Sequence, residues 1–501
     1  MNLIKNLVLV SNITLISKVI GFIKDIVIAK IFGAGLNTDS FFISFRLINL
    51  FKRILADGIF FQVLIPILVD YKNNNSIKDT KIFIKKISGF LIILLFIIMS
   101  LCLLFSSNMI KIIAPGVSNN YNEFLLTVNL FKILLPYIFI ISFISFSGSV
   151  LNIFNNFTVS SISPSISNLV TGIFLILIIN LYNSTNIILL PISIIVGNIL
   201  QLIIHLFSLK FLFNINLIPN FSIDKNIFNI IYKIIPITIN VLVSQISNIL
   251  NTILVSFLNP GSISWLYYSD KIIEFSSGVL GVSLSTIIFP ILSNNINNID
   301  KYSDILNWGI RLSLLLSIPA SIIIIILSEE IIVSLFQYGK FSKFDTLMTK
   351  ESLIYYSLGL TSIVILKLLN VAFSSYQDNK TVLKSSVLTL FLTQFINFLL
   401  IFKFKHIGLS LSITLTSLIN SIILYYMLIK NKLFKDKIDW LNILYKIFIS
   451  SLVMIISLKI GKKYIKIFDY NNLFIRLIKL VSLILIGKLS YLVSFFLLKK
   501  F

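Results

Sequence analysis

Apolar runs long enough to cross a bilayer recur along the whole chain, with only short polar turns between them. About 20 helical residues span the roughly 30 Å hydrocarbon layer. Runs of that kind lie at about 8–32, 38–69, 87–107, 124–149, 160–181, 186–209, 228–256, 263–292, 308–328, 351–374, 382–402, 407–429, 441–458 and 475–498. They are continuous rather than alternating, so they read as helices that satisfy their own backbone in lipid. The expected fold is an all-α polytopic membrane protein with about 14 transmembrane helices. A chain of 501 residues that is 57% hydrophobic and 12% charged has no polar domain to set beside them.

The net charge of +23 would suit a nucleic-acid partner, but the lysines fall in short turns between apolar runs, so no nucleic-acid role is expected. The turn 71–86 holds Lys72, Lys78, Lys81, Lys85 and Lys86, and the turn after the twelfth run holds Lys430, Lys432, Lys435 and Lys437. Alternate turns around 33–38, 182–186 and 257–262 lack Lys and Arg. Positive-inside bias then places both termini in the cytoplasm, with Lys459, Lys462, Lys463 and Lys466 as an exception on the outer side. No cleavage site follows the first apolar run, so that helix is expected to stay. The lone Cys102 excludes an intramolecular disulfide, and His205 and His406 read as helix-end residues rather than zinc ligands.

Residues 18–58 break the apolar pattern. On a helical wheel Ser11, Thr14, Lys18, Gly21 and Asp25 share one face of the first helix, with Lys24 to the side. Asp39, Phe42, Arg46, Asn49, Arg53 and Asp57 share one face of the second. Each such charge costs about 2.5–3.5 kcal/mol at a lipid-exposed helix centre, so the stripes should face a wet interior. One reading is mutual neutralisation, Lys18 with Asp25 or Arg53 with Asp57. The other starts from the excess of cations over acids in this stretch, which calls for an anionic ligand.

Sliding the chain on itself by about 224 residues lays FISFRLINLF over LYYSDKIIEF, Pro66 over Pro290 and Gly116 close to Gly339. The repeat predicts two six-helix lobes of like topology, 1–215 and 216–435, related by a pseudo-two-fold axis along the membrane normal, with two C-terminal helices in 436–501 outside it. The second copy again carries polar faces: Asn240, Ser244, Ser247 and Asn251; then Ser264, Tyr267, Lys271, Glu274 and Gly278 with Asp270 beside them; then Lys367 with Asn370. A cavity between lobes follows as an expectation. No Walker loop, nucleophile elbow or metal-ligand cluster is present, so a transporter is expected rather than an enzyme. It would need no cofactor and would draw on a coupling ion, the membrane potential or the substrate gradient.

The opening MNLIKNLVLVSNITLISKVIGFIKDIVIAKIFGAGLNTDSFFISFRLINLFKRILADGIFFQVLIPIL, with SWLYYSDKIIEFSSGVLGVSLSTIIFPILS and SLFQYGKFSKFDTLMT, resembles the MurJ (MviN) family of lipid II flippases in the multidrug/oligosaccharidyl-lipid/polysaccharide exporter superfamily. The resemblance runs over essentially the whole chain. It implies a multi-pass protein of a bacterial cytoplasmic (inner) membrane. Lipid II would be the substrate, with membrane lipids and other cell-wall synthesis proteins as partners. It also implies substrate-binding cations at Lys18, Lys24, Lys52, Arg53 and Lys271, acids at Asp39, Asp270 and Glu274, and a further cation at Lys367. Family members commonly carry Arg at four of these lysines, Lys18, Lys24, Lys52 and Lys271. Lysine keeps the charge but forgoes bidentate grip of a phosphate. Sister transporters of the superfamily and a non-transporting membrane scaffold are the competing readings. Against a scaffold stands the insertion cost of buried cations.

Overall fold

A computed structural model describes residues 2–55, 64–154, 156–182, 185–222, 245–465, 467 and 472–500. Asp57, Asn240, Ser244 and Lys466 lie outside the described residues, and so does the Arg53–Asp57 pairing considered above. The chain forms two compact units, Met1–Ile263 and Ser264–Phe501. Among the described residues the regular structure is helical. Nine helices are long and apolar enough to cross a membrane, or ten if the bent pair Lys343–Leu358 and Leu360–Ser375 counts as one. The charged first and second helices are not among them, and the seventh expected run lies mostly outside the described residues.

The first unit runs α1 (Asn2–Phe32), α2 (Leu36–Lys52), α3 (Ile65–Asn74), α4 (Ile77–Leu104), α5 (Ser106–Ile113), α6 (Tyr121–Ile153), α7 (Phe157–Tyr182), α8 (Leu189–Phe213) and α9, described over 245–256. In the second unit come α10 (Ser262–Ser277, its first two residues belonging to the first unit), α11 (Ser283–Asn294), α12 (Ile299–Ile326), α13 (Ser328–Leu335), α14 (Lys343–Leu358), α15 (Leu360–Ser375), α16 (Asn379–Lys430), α17 (Trp440–Tyr464) and α18 (Leu473–Lys500). The order of long and short helices from α2 to α5 recurs from α10 to α13, the bent pair α14 and α15 stands where α6 does, and α16 stands where α7 and α8 do. The signals that start them recur too. Ser76 and Asn298 cap α4 and α12, Asn120 and Ser342 cap α6 and α14, and Asn156 and Asp378 cap α7 and α16. Each side chain accepts a bond from an otherwise orphaned first-turn amide. Members of each pair stand 222 residues apart.

One stretch expected as a turn is largely helix. Within 71–86 the chain bends only around Asn75–Ser76, because Ser76 caps α4 and its hydroxyl bonds Asp79 at 2.7 Å. At 28 residues α4 is about 42 Å long and overruns the hydrocarbon layer. Its basic first turns carry the extended segment that follows α8: Asn220 N–H donates to Lys85 O at 3.0 Å and Lys81 Nζ to Asn214 O at 3.2 Å. The segment after α16 lies along α12 in the same way. Lys435 N–H meets Ser303 Oγ at 2.9 Å, Asn307 Nδ2 donates to Lys435 O at 3.0 Å, and Lys437 pairs with Asp304 at 2.8 Å.

The two copies differ at one break. α6 runs through Pro136 as one helix, whereas the corresponding helix of the second unit bends by 45° between α14 and α15 at Gly359. The Gly359 amide turns to Tyr356 and Ser357 carbonyls, so Tyr355 O loses its helical partner. Thr414 Oγ1 supplies the missing donor at 2.7 Å, and Ser321 Oγ takes Ser357 O. A Cβ at Gly359 would lie 2.8 Å from that Thr414 hydroxyl, so the bend needs a residue without a side chain. α16 is itself interrupted at Lys405, whose φ of 50° and ψ of −131° fold it between the two expected runs 382–402 and 407–429.

His205 is not at a helix end. It lies within α8, 2% exposed, and ties α8 to α6 and α7. Ser147 Oγ gives its proton to Phe143 O at 2.7 Å and so accepts from His205 Nδ1–H at 3.0 Å. Nε2 then accepts from Ser163 Oγ–H at 2.7 Å, and Ser163 accepts from Gln201 Nε2 at 3.1 Å. Every donor has an acceptor with a neutral imidazole, which makes this a structural bridge. His205→Leu leaves the Ser147 and Ser163 hydroxyls each short of a partner, at about 1–3 kcal/mol for the network. Its melting temperature in detergent should fall by several degrees; an unchanged value would show that the bridge carries no stability. His406 does sit at a break, beside Lys405, where its Nε2 lies 3.2 Å from Met348 O and its ring 5.2 Å from that of Trp265.

Candidate cation-lined site

The stripe on α2 is spaced by sevens, and the structure uses that spacing. Asp39, Arg46 and Arg53 all meet α9 or the turn after it. Asp39 Oδ2 accepts from Gly261 N–H at 2.6 Å, Arg46 Nη1 donates to Thr252 Oγ1 at 3.2 Å, and Arg53 Nη1 donates to Gln245 Oε1 at 2.9 Å. Asp39 is 3% exposed in the first turn of α2, where the positive end of the helix dipole and the Gly261 amide both favour a carboxylate. Gly261 has φ of 97°, a conformation open to glycine and strained for other residues, so this contact is written into the turn itself. A neutral acceptor positions a guanidinium, as Gln245 does for Arg53 and Thr252 for Arg46.

On α1, Lys24 donates to Asn168 Oδ1 of α7 at 3.1 Å and stands 3.9 Å from Asp25 Oδ1. Asp25 is buried, whereas Lys18 and Lys52 are half-buried and Arg53 is exposed. A side chain at Gly21 would press on Asn168 at 3.3 Å, so the glycine lets α1 approach α7. Ser44 Oγ fixes α2 on α6 by donating to Thr127 O at 2.8 Å.

In the second unit Lys271 and Glu274 form a pair at 2.7 Å on α10, with Lys271 Nζ 5.3 Å from the centroid of the Tyr267 ring. Asp270 is exposed beside them. Lys367 on α15 reaches Ser277, its Nζ bonding the carbonyl at 2.9 Å and the hydroxyl at 3.1 Å. The structure therefore joins Arg53 to α9 and Asp39 to the turn after it, pairs Lys271 with Glu274, sets Lys24 between Asn168 and Asp25, and brings Lys367 to Ser277. Asn168, Gln245 and Thr252 are partners that sequence reasoning passed over. Arg46 was visible, midway in the same sevenfold spacing.

A family model described as "Lipid II flippase MurJ" matches residues 28–479. The chain belongs to the lipid II flippase MurJ family. A relative named "Probable lipid II flippase MurJ" from Buchnera aphidicola subsp. Baizongia pistaciae (strain Bp) is 41% identical over 485 residues, covering 96% of this chain and 94% of that protein. The "Lipid II flippase MurJ" of Burkholderia cenocepacia is 31% identical over 463 residues, 91% of this chain and 89% of the relative. A solved structure titled "Lipid II flippase MurJ, inward closed conformation" superposes with a TM-score of 0.79 at 26% identity, over 97% of this chain and 98% of that one. An inward-facing multidrug MATE transporter of the MOP superfamily has a TM-score of 0.65 at 11% identity over 82% and 93% of the two chains, and shares the fold. Like other MurJ-family members, this is a multi-pass membrane protein and a transporter rather than an enzyme.

Proposed function

We propose that this chain flips lipid II, the undecaprenyl-diphosphate-linked peptidoglycan precursor, from the inner to the outer face of the cytoplasmic membrane by alternating access. The names of its relatives support the substrate. The observation that carries the mechanism is the excess of cations on α1 and α2, at the end of which Arg53 hydrogen-bonds a neutral side chain. In this reading the diphosphate meets Lys18, Lys24, Arg53 and Lys271 in a central cationic cavity, with Lys52 and Lys367 adding positive potential. Asp39, Asp270 and Glu274 hold the cations between cycles and exchange partners as the bundle rocks. Asp39, Arg46 and Arg53 reach α9 and the turn after it through hydrogen bonds to uncharged groups, each worth about 1.5–3 kcal/mol because one partner is ionised, so a cycle that breaks them must remake them elsewhere. The polyprenyl tail lies along α17 and α18. An ion gradient or the membrane potential drives the cycle, and both termini face the cytoplasm, with Lys72–Lys86 and Lys430–Lys437 on that side.

The test is rescue of bacteria depleted of their own lipid II flippase. The parent chain and Lys271→Arg should restore growth, and Lys271→Ala should not, although it inserts at normal levels. A parent that inserts normally and never rescues would overturn the function. Rescue by Lys271→Ala would remove the anion site from α10.

A further inference from the structure

Directly after the Lys271–Glu274 pair, α10 changes its winding. Gly278–Val282 is a π-helical turn, after which α11 resumes as regular α-helix. A π turn bonds each carbonyl five residues on rather than four and so carries one surplus residue, a feature frequent at functional sites. Such a turn persists where another group supports it. Here that group is Lys367, whose amine donates to the carbonyl and hydroxyl of Ser277, the residue from which the turn starts. The lysine stem passes over Gly281, where a Cβ would lie 2.7 Å from Lys367 Cδ and 3.5 Å from Val364 Cα. Surplus residue, missing side chain and inserted amine coincide at one point.

We propose that Lys367 is a positioning residue that sets the register between α10 and α11, and that an anion drawing its amine off Ser277 lets the turn rewind. Removing one surplus residue rotates α11 by about 100° relative to Lys271 and Glu274. Leu284, Ile288 and Leu292 are the buried face of α11 and Ile287 and Ile291 are exposed, so the rotation exchanges which residues are covered. Anion occupancy would thus be converted into helix rotation by one lysine. The anion coupling rests on the function proposed above; the register role of Lys367 does not.

A nitroxide scan of residues 284–292 in lipid vesicles, read by oxygen accessibility, tests this. The parent and Lys367→Arg should share one helical phase, and Lys367→Met should shift it by about 100°. Should Lys367→Met fold poorly, Gly281→Ala displaces the same stem and should give the same shift. Undecaprenyl diphosphate in the vesicles should move the parent toward the Lys367→Met phase. An unchanged phase in both variants overturns the register role. A shift in the variants with no response of the parent to the diphosphate overturns the coupling. Failed rescue of depleted cells, with the phase response intact, would instead count against lipid II as the substrate.

Discussion

Gly116→Ala should abolish rescue of flippase-depleted cells while the protein still inserts. A methyl group at Gly116 would stand 2.0 Å from Ser256 O, 2.3 Å from Ser256 C and 2.7 Å from Phe257 N. All three are backbone atoms at the end of α9, so no side-chain rotation relieves the clash, and the two segments must part. The Gly116 N–H bond to Ser256 Oγ at 3.1 Å goes with them. Overpacking costs about 1–3 kcal/mol in ordinary cores, and a backbone-to-backbone approach this close belongs at or above the top of that range. The consequence is carried along α9, whose Thr252 and Gln245 hold Arg46 and Arg53, and on to Gly261, which holds Asp39. Cysteines placed at positions 46 and 252, which an arginine-length reach separates, should be joined readily by a short bis-maleimide in the parent and much less in the variant. Equal cross-linking would show that α9 keeps its seat and that the prediction is wrong.

Glu330→Gln should cost the second unit about 3 kcal/mol, the lower end for breaking a buried ion pair, since Lys462 keeps 34% of its side chain exposed. Glu330 is 4% exposed on α13, with Oε1 2.6 Å from Lys462 Nζ; that amine also donates to Ile326 O at 3.1 Å. From the other arm of the same hairpin, buried Arg476 of α18 donates to Val333 O and Gln337 O at 3.3 Å each, at the C-terminal end of α13. An acid in the first turn and a cation at the last carbonyls both suit the α13 dipole. The double change Glu330→Gln with Lys462→Gln should recover most of the loss, because no uncompensated charge remains. Thermal unfolding in detergent reads both. A double variant as unstable as the single would mean that packing, rather than charge, fastens the hairpin.

That pair concerns one of the lysines that stand out in the charge pattern. Counting basic turns treats every lysine alike, so Lys459, Lys462, Lys463 and Lys466 stood out on the expected outer side. Lys462 has a buried carboxylate as partner, contributed by α13 more than a hundred residues earlier in the chain, and no window along the sequence can see it. The same distinction separates what was legible from what was not. Apolar runs, the break near Lys405 and the repeat through Pro66 and Pro290 are written in short windows or fixed offsets, and they were readable. His205 was misjudged because its partners Ser147 and Ser163 come from two other helices. The stretch 71–86 reads as a loop by composition, and only the Ser76–Asp79 cap reveals a helix start. Charged faces on α2 and α10 were readable by periodicity. That Arg53 turns to Gln245, and Lys367 to a π turn, depends on tertiary neighbours and winding that periodicity does not encode.

The paired caps bear on ancestry. Ser76 and Asn298, Asn120 and Ser342, and Asn156 and Asp378 are different residues doing one job at one separation. If the halves descend from a duplicated gene, the stretch from Ser76 to Asn156 has since taken no net insertion or deletion relative to its counterpart. Side-chain identity was free to wander toward Ile, Asn and Lys wherever another oxygen could still cap a helix. Length was not, because one added residue would turn every later side chain in that helix by about 100°. In such a lineage, spacing is the heritable trait.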